Sequence, residues 1–413
     1  MPYYRRNVYI LSVTVFLASL SWQQVMPFLS DFLKELGAGK QLFLWTGIVF
    51  AVQSLAAIIM QPLWGKMGDT HGRKPMIIRA GLCLAGVYFG MSLCHSPIQL
   101  AVCRFLNGAL TGFIPGSFAL IATNTPEEEA PKSMATVQAA SNVGLIIGPV
   151  IGTVLASLLS YRGSMVVSGV AVMISTGVVW WLVQEPNKVV LVEKTSLIQD
   201  FGIAFRSRVQ LALLFVVALT WAYGAAIAPY LIRHLRSLGG DVPHVLRVVL
   251  SHLHMDLPAV VFALPALAFV VSARAWTQVG SKRGYNWTML IGLAGGGIGA
   301  IALFGVHDIW LFGAIYFITG VCTATLGPSV AAVTCTKVDE AFRGRAYGIQ
   351  QSVGTLGSLI SPLIAGFVGK QWGTPAIFLF VGTLFLGGSV VFRGLTRHWQ
   401  TEGAQITSAK GST

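Results

Sequence analysis

Arg104 stands inside a membrane-length apolar run, in the stretch Arg104-Phe105-Leu106-Asn107-Gly108-Ala109-Leu110-Thr111-Gly112. A charged side chain at that depth is costly unless it is paired or hydrated, so it marks function by default. Its alternative is structural: satisfaction by backbone carbonyls, or reaching out to the interface. Asp31, near the outer end of the first apolar run, is the best-placed acid. It can take up and release a proton under the influence of Arg104, or simply end a helix in water. No Asp or Glu falls in the middle of any apolar run. Among Cys83, Cys94, Cys103, Cys322 and Cys335, no pair has metal-ligand spacing. With no nucleophile–base or metal-ligand constellation, the pattern argues against an enzyme, and no cofactor or metal is expected.

Two further stretches carry spacing that matters. Gly65-Lys66-Met67-Gly68-Asp69-Thr70-His71-Gly72-Arg73-Lys74-Pro75 reads as a tight reversal between two apolar runs. Asp69 there can cap a helix or pair with an arginine as a latch between halves. Gly144, Gly148 and Gly152 share one helical face, which allows close packing, expected here on the opposite half of the chain. Pro149 within that stretch removes a backbone donor and bends the helix.

The elements that must position these residues follow from composition. Of 413 residues, 54% are hydrophobic and 10% charged, with a mean hydropathy of +0.70. A soluble domain carries about a quarter charged residues, so this chain belongs in a lipid bilayer. A spanning helix needs about 20 apolar residues. Six such segments fall between residues 8 and 184, and six between 209 and 394. The expected organisation is an all-α membrane protein of twelve transmembrane helices in two pseudo-symmetric six-helix bundles, 1–184 and 209–394. A linker at 185–208 joins them, and a polar tail at 395–413 is expected to be disordered.

The halves look like one sequence written twice. Gly144-Leu145-Ile146-Ile147-Gly148-Pro149 is echoed by Gly357-Ser358-Leu359-Ile360-Ser361-Pro362, and Ile114-Pro115-Gly116-Ser117 by Leu326-Gly327-Pro328-Ser329. An internal repeat of half the chain, in so hydrophobic a protein, is the mark of a transporter. Scarcity of buried acids argues against cargo chosen mainly for positive charge; neutral, zwitterionic or anionic amphiphiles fit at least as well.

The net charge of +13 is explained by topology better than by nucleic acid. Loops on the side of the N-terminus hold Arg5, Arg6, Lys66, Arg73, Lys74, Arg206, Arg208, Lys282, Arg283, Arg343 and Arg345 among others. Opposite loops hold Lys34, Lys40, Arg162, Arg233, Arg236, Arg247 and Lys370. The excess places both termini and the linker in the cytoplasm. One outer loop, 233–256, carries His234, His244, His252 and His254 with three arginines. Its Val242–Leu253 portion reads as an amphipathic helix, solvated or interfacial; a metal or anion site is the sharper alternative.

The loop at Gly65–Pro75 closely resembles the G-x-L-A-D-R-x-G-R-R/K loop of the major facilitator superfamily, with Gly65, Asp69, Gly72, Arg73 and Lys74 in the expected places and Thr70 in place of an arginine. In the second half, Ser281 stands where that pattern has its acid. Arg104 and Gly108 match the family's R-x-x-x-G pattern, and Gly144-x-x-x-Gly148-Pro149-x-x-Gly152 matches its antiporter motif, with Thr153 replacing a final glycine. The resemblance is nearest to bacterial twelve-helix drug/proton antiporters of the multidrug-efflux kind.

That resemblance implies gating by Asp69, Arg73 and Lys74, coupling through Arg104, and a cavity lined by spans one, four, seven and ten. Candidates on those spans are Trp22, Gln23, Gln24, Met26, Asn107, Trp221, Tyr223, Tyr230 and Tyr316. It implies a monomer in a bacterial inner membrane that exchanges a small amphipathic molecule for protons by alternating access. A lipid-precursor translocase or uncoupled carrier, and a non-transporting sensor or scaffold, are the competing functions.

Overall fold

Backbone polar groups have no water to bond in a bilayer, so a spanning chain satisfies them within helices. The computed structural model describes residues 2–126, 129–186, 202, 205–240, 257–338 and 340–397. Every long element among them is helical. The helices are α1 (Tyr3–Gln24), α2 (Leu29–Glu35), α3 (Leu42–His71), α4 (Arg73–Ser92), α5 (Pro97–Leu110), α6 (Phe113–Asn124) and α7 (Ala130–Leu182). They continue with α8 (Arg208–Ser237), α9 (Leu257–Arg283), α10 (Tyr285–Leu303), α11 (Ile309–Thr323), α12 (Leu326–Lys337), α13 (Glu340–Trp372) and α14 (Thr374–Thr396).

Among the described residues twelve spans result. Ten stretches are long and apolar enough to cross a membrane, and α1 with α2 makes an eleventh, bent by 50° at a break containing Pro27. One of the ten, Thr136–Leu182, has 47 residues. At 1.5 Å per residue it is about 70 Å long, enough for two crossings of a ~30 Å core. It breaks at Ser160, whose φ of +74° is left-handed and turns the chain. The central linker beyond 186, apart from 202 and 205–208, lies outside the described residues, as do the Val242–Leu253 portion of the outer loop and the tail from 398.

Sequence patterning did not anticipate three details. The reversal at Gly65–Pro75 is nearly all helix: α3 runs to His71 and α4 starts at Arg73, with Gly72 alone between them at φ +99°. Pro75 fits inside α4 because the N–H groups of a helix's first turn have no intrahelical acceptor, so no ladder bond is lost there. The fourth span is split, α5 ending at Leu110 and α6 starting at Phe113, across Thr111 and Gly112 (φ +147°). The tenth span changes helix at Ala324–Thr325.

The Gly144/Gly148/Gly152 face packs in its own half, against α1, rather than across to the opposite half. A Cβ on these glycines would lie 2.4 Å from Phe16 O, 2.7 Å from Leu20 O and 2.0 Å from Gln24 O. Each partner is backbone and cannot yield. The reason for the difference is register: the glycines recur every four residues, and so do the α1 carbonyls they meet.

Contacts divide the chain into two units. The first gathers Met1–Glu193 with Ile227–Ala263 and Pro362–Gln371; the second gathers Lys194–Ala226, Leu264–Ser361 and Trp372–Thr413. Within each unit the same devices recur 212 residues apart. The fourth span starts under a Ser96 cap that accepts from Gln99 N (3.3 Å), and the tenth under an Asp308 cap that accepts from Trp310 N and Leu311 N (2.9 and 2.8 Å). Trp64 Nε1 donates to Ala109 O at 2.6 Å; Trp276 Nε1 donates to Val321 O at 2.6 Å. Gly108 faces Gln53 backbone, and Gly320 faces Pro265. Gly72 and Gly284 each form a one-residue junction with positive φ. The repeat is therefore conformational as well as sequential.

Glycine contacts give a test with opposite signs. Gly152→Ala is expected to destabilise by roughly 1–3 kcal/mol, because its methyl meets fixed backbone. Gly86→Ala, whose methyl would meet nothing within 4 Å, is expected to be neutral or to stabilise by up to about 1 kcal/mol through helix propensity. Melting temperatures of the purified variants, followed by tryptophan fluorescence, distinguish the two.

Candidate functional site

Arg104 lies on α5, within the first unit. Ser96 and Pro97 start that helix, with the Gln99 side chain reaching back to His95 N at 2.7 Å. One turn beyond Arg104, Gly108 lets α5 lie against α3: a Cβ there would sit 1.9 Å from Gln53 O. The arginine is thereby drawn under cover and is only 2% exposed. Its Nε and Nη2 have no hydrogen-bond partner, and Asn107, 1% exposed, has neither amide atom partnered. The Arg104 guanidinium carbon lies 5.3 Å from the Phe50 ring centre. Phe50 and Tyr88 belong to an apolar cluster with Leu84 and Leu100, and the Tyr88 hydroxyl donates to Ser21 O at 2.8 Å. Among the described residues the ion pairs are Arg5–Glu129, Arg162–Glu35 and Arg236–Asp31, and none involves Arg104.

At the α3–α4 junction the decisive residue is one the sequence reading left in the linker. Glu185 follows the sixth span and caps α4: its carboxylate accepts from Arg73 N at 2.6 Å and from Lys74 N at 2.9 Å. An anion at a helix N-terminus satisfies two orphan donors and opposes the positive end of the dipole. Gly72 makes room, since a Cβ there would come within 3.1 Å of Glu185 Oε2. Tyr3, His71, Lys74, Pro75 and Glu185 line an open cavity of about 590 Å³ beside the junction. Gly65 and Asp69 fall within α3, and the Asp69 side chain lies outside the described residues.

Asp31 is on α2, past the bend, with its side chain 17% exposed. Arg236 Nη1 donates to Asp31 Oδ2 at 2.5 Å, joining the first span to the end of α8. Close by, Arg162 approaches Glu35 at 3.9 Å and donates to Ser92 O at 2.6 Å. On α8, Tyr230 is buried, with its hydroxyl 3.1 Å from Phe43 O and 3.3 Å from Pro362 O. Of the outer-loop histidines, His234 is buried on α8; His244, His252 and His254 lie outside the described residues.

The other cavity candidates are spread over both units. Trp22, Gln23 and Met26 are half-buried on the first span. Gln24 is buried and uses its amide inside the bundle, donating to Ser164 O (2.8 Å) and to Ser168 Oγ. In the second unit Tyr223 is half-buried and Tyr316 is buried. The Tyr223 hydroxyl has no partner, and its ring lies 4.7 Å from Phe385. Tyr223 also lines a cavity of about 180 Å³ with Thr220, Pro265, Phe269, Gly320 and Thr323. Trp221 is 40% exposed, with Gly354 packed beneath its indole. Arg104 and Asn107 are thus together, while Tyr316, the repeat equivalent of Arg104, sits in an aromatic group with Phe312.

The model of the Major Facilitator Superfamily matches residues 11–246 and 246–410. The chain belongs to that superfamily. It is a membrane transporter and not an enzyme. It is 28% identical over 400 residues to the multidrug resistance protein MdtG of Proteus mirabilis, covering 96% of both chains, and 27% identical over 401 residues to MdtG of Yersinia enterocolitica, covering 96% of this chain and 93% of that one. Among solved structures it is similar to a bacterial homologue of the human lysosomal transporter Spinster, with a TM-score of 0.79 at 13% identity over 96% of this chain and 97% of that one. It is also similar to the human organic anion transporter MFSD10, with a TM-score of 0.67 at 17% identity over 95% of this chain and 100% of that one. At such identities the structures establish the fold.

The Glu185 cap predicts a graded loss. Glu185→Ala should destabilise by about 1–2 kcal/mol, within the range of lost helix caps, and Glu185→Gln by less, since its amide oxygen still accepts. Thermal melts of the two variants beside the native chain check the order; equal stability of all three would mean the cap contributes nothing.

Proposed function

We propose that this transporter exports small amphipathic molecules across a bacterial inner membrane in exchange for protons, by alternating access, as a monomer with both termini in the cytoplasm. The observation that carries the reading is Arg104, a buried cation with no counter-charge among the described residues. Such a charge is a large cost to a static bundle and is retained where it serves transport. Export of amphiphiles is supported by the full-length likeness to proteins named for multidrug resistance. Cytoplasmic termini are supported by the Lys and Arg of the loops.

In this reading Arg104 holds its charge throughout, since a guanidinium does not deprotonate in proteins. It acts by electrostatics on a group that does titrate. Asp31 is that group. Its protonation removes the charge that holds Arg236, so a proton arriving from outside loosens the contact between the first and seventh spans. Gly65, Asp69, Gly72, Arg73 and Lys74 gate the other side, with Glu185 fixing where α4 starts. Gly144, Gly148, Pro149 and Gly152 keep α7 seated on α1 while that happens.

The test is substrate-triggered collapse of a pH gradient in proteoliposomes, across a panel of lipophilic dyes and antibiotics. Native protein should show flux, and Arg104→Ala should lower it at least tenfold while inserting normally. Asp31→Asn should lose proton flux and keep substrate binding. Absence of flux with every compound, from correctly inserted native protein, would transfer the reading to an uncoupled carrier or a lipid-precursor translocase.

A further inference from the structure

We propose that Arg104 and Asn107 form a buried subsite for a carboxylate carried by the cargo, so that the transporter selects amphipathic anions. This rests on the reading of the chain as an exporter of amphipathic molecules and names the class of molecule.

Two adjacent residues on one face of α5 carry the argument independently. Residues three apart on a helix are neighbours. Arg104 is 2% exposed, with Nε and Nη2 unpartnered; Asn107 is 1% exposed, with Nδ2 and Oδ1 unpartnered. Buried polar groups in proteins are hydrogen-bonded almost without exception, and each one that is not calls for an explanation. Here four unpartnered side-chain atoms occur within one helical turn. Three of them are nitrogens that donate: two on a guanidinium and one on an amide. That set matches the oxygens of a carboxylate, which accept a fork of guanidinium N–H groups and one donor more.

Among the described residues the surroundings offer no substitute acceptor. Phe50 lies 5.3 Å from the guanidinium carbon, and a ring at that distance interacts with the charge without accepting the in-plane N–H bonds. Tyr88 directs its hydroxyl hydrogen to Ser21 O. The described acids with resolved partners use their charge elsewhere: Asp31 on Arg236, Glu35 on Arg162, Glu129 on Arg5, Glu185 on the α4 cap, and Asp308 on the α11 cap. Close contact between Gly108 and the Gln53 backbone seals the α3–α5 seam one turn further along. The apolar cluster of Phe50, Leu84, Tyr88 and Leu100 provides the greasy wall that an amphiphile's body requires. A hydrophobic cation meets a buried positive charge here and is rejected; an anion removes an existing penalty on binding.

The experiment uses full-length protein in nanodiscs and three radiolabelled probes of one shape: naphthylacetate, naphthylacetamide and naphthylethylammonium. Empty nanodiscs give the background. Native protein should bind the carboxylate at least tenfold more tightly than the amide or the cation. Arg104→Gln should bring the carboxylate to the level of the amide. Arg104→Lys, which keeps the charge and loses the fork, should fall between. Asn107→Asp, which supplies an internal counter-ion, should abolish the preference for the carboxylate and favour the cation, and its monodispersity and melting temperature report that it is folded.

Equal binding of the three probes, no binding of any, or a preference that survives Arg104→Gln would overturn the proposal. So would a tenfold weakening of naphthylacetate by sodium chloride relative to sodium sulfate at matched ionic strength, which would make the subsite a chloride site. Proton flux is measured separately. A chain that prefers the carboxylate yet moves no protons refutes coupling and leaves the subsite standing; a coupled transporter indifferent to probe charge does the reverse.

Discussion

Inside a bilayer a broken helix exposes carbonyls that water cannot reach, and each must find a donor within the protein. That constraint governs how this chain breaks its spans. The fourth span opens at Thr111–Gly112, and Trp64 supplies an indole N–H to Ala109 O just before the opening. The tenth passes from one helix to the next at Ala324–Thr325, and Trp276 donates to Val321 O. Serine and threonine hydroxyls bond back to carbonyls one turn earlier along most spans, as at Thr176 to Val172 O and Thr319 to Ile315 O. At these two breaks such a donor stands close by. These two spans are the ones that hold Arg104 and Tyr316.

Duplication then explains why the donors recur. Trp64 and Trp276, Ser96 and Asp308, Gly72 and Gly284 stand 212 residues apart and perform the same local tasks. Where the halves diverge, the divergence is chemical. Arg104 is answered by Tyr316, and Gln53 by Pro265, which faces Gly320 as Gln53 faces Gly108. One unit has kept a buried charge with its amide neighbour. The other has an aromatic pair, Tyr316 with Phe312, at the corresponding place. Backbone geometry was held by packing and hydrogen bonding, so only side chains were free to specialise.

The spans, the repeat and the family were legible because they depend on local composition and spacing. Twenty apolar residues in a row, or G-x-x-x-G, can be read without knowing what lies opposite. Partners were less legible. The Gly144/Gly148/Gly152 stripe could be seen, but its seat on α1 could not, because a stripe of small residues declares closeness and not the neighbour. Glu185 caps Arg73 N from 112 positions away, and Asp31 meets Arg236 from 205. An acid at the end of a span was the one available signal for Glu185, and it was indistinguishable from the rest of a charged linker. The break at Thr111–Gly112 has a glycine to mark it, but glycine is common in membrane helices and rarely breaks them.

The distribution of charge follows from the same economy of partners. Acids are outnumbered, 15 against 28 lysines and arginines, and the described ones with resolved contacts stand at helix ends or along the rim, each tied to a cation or a cap. Moving one inward to neutralise Arg104 would strip a cap, at about 1 kcal/mol, or break one of these pairs. It would also bury a second charge whose desolvation is itself costly. Leaving the arginine without an acid keeps those pairs and caps intact and leaves an unmet electrostatic demand on α5. A charge demand that the fold does not meet is one that a moving partner, a proton elsewhere or an anion beside it, can meet reversibly. An internal salt bridge would leave no such demand to meet.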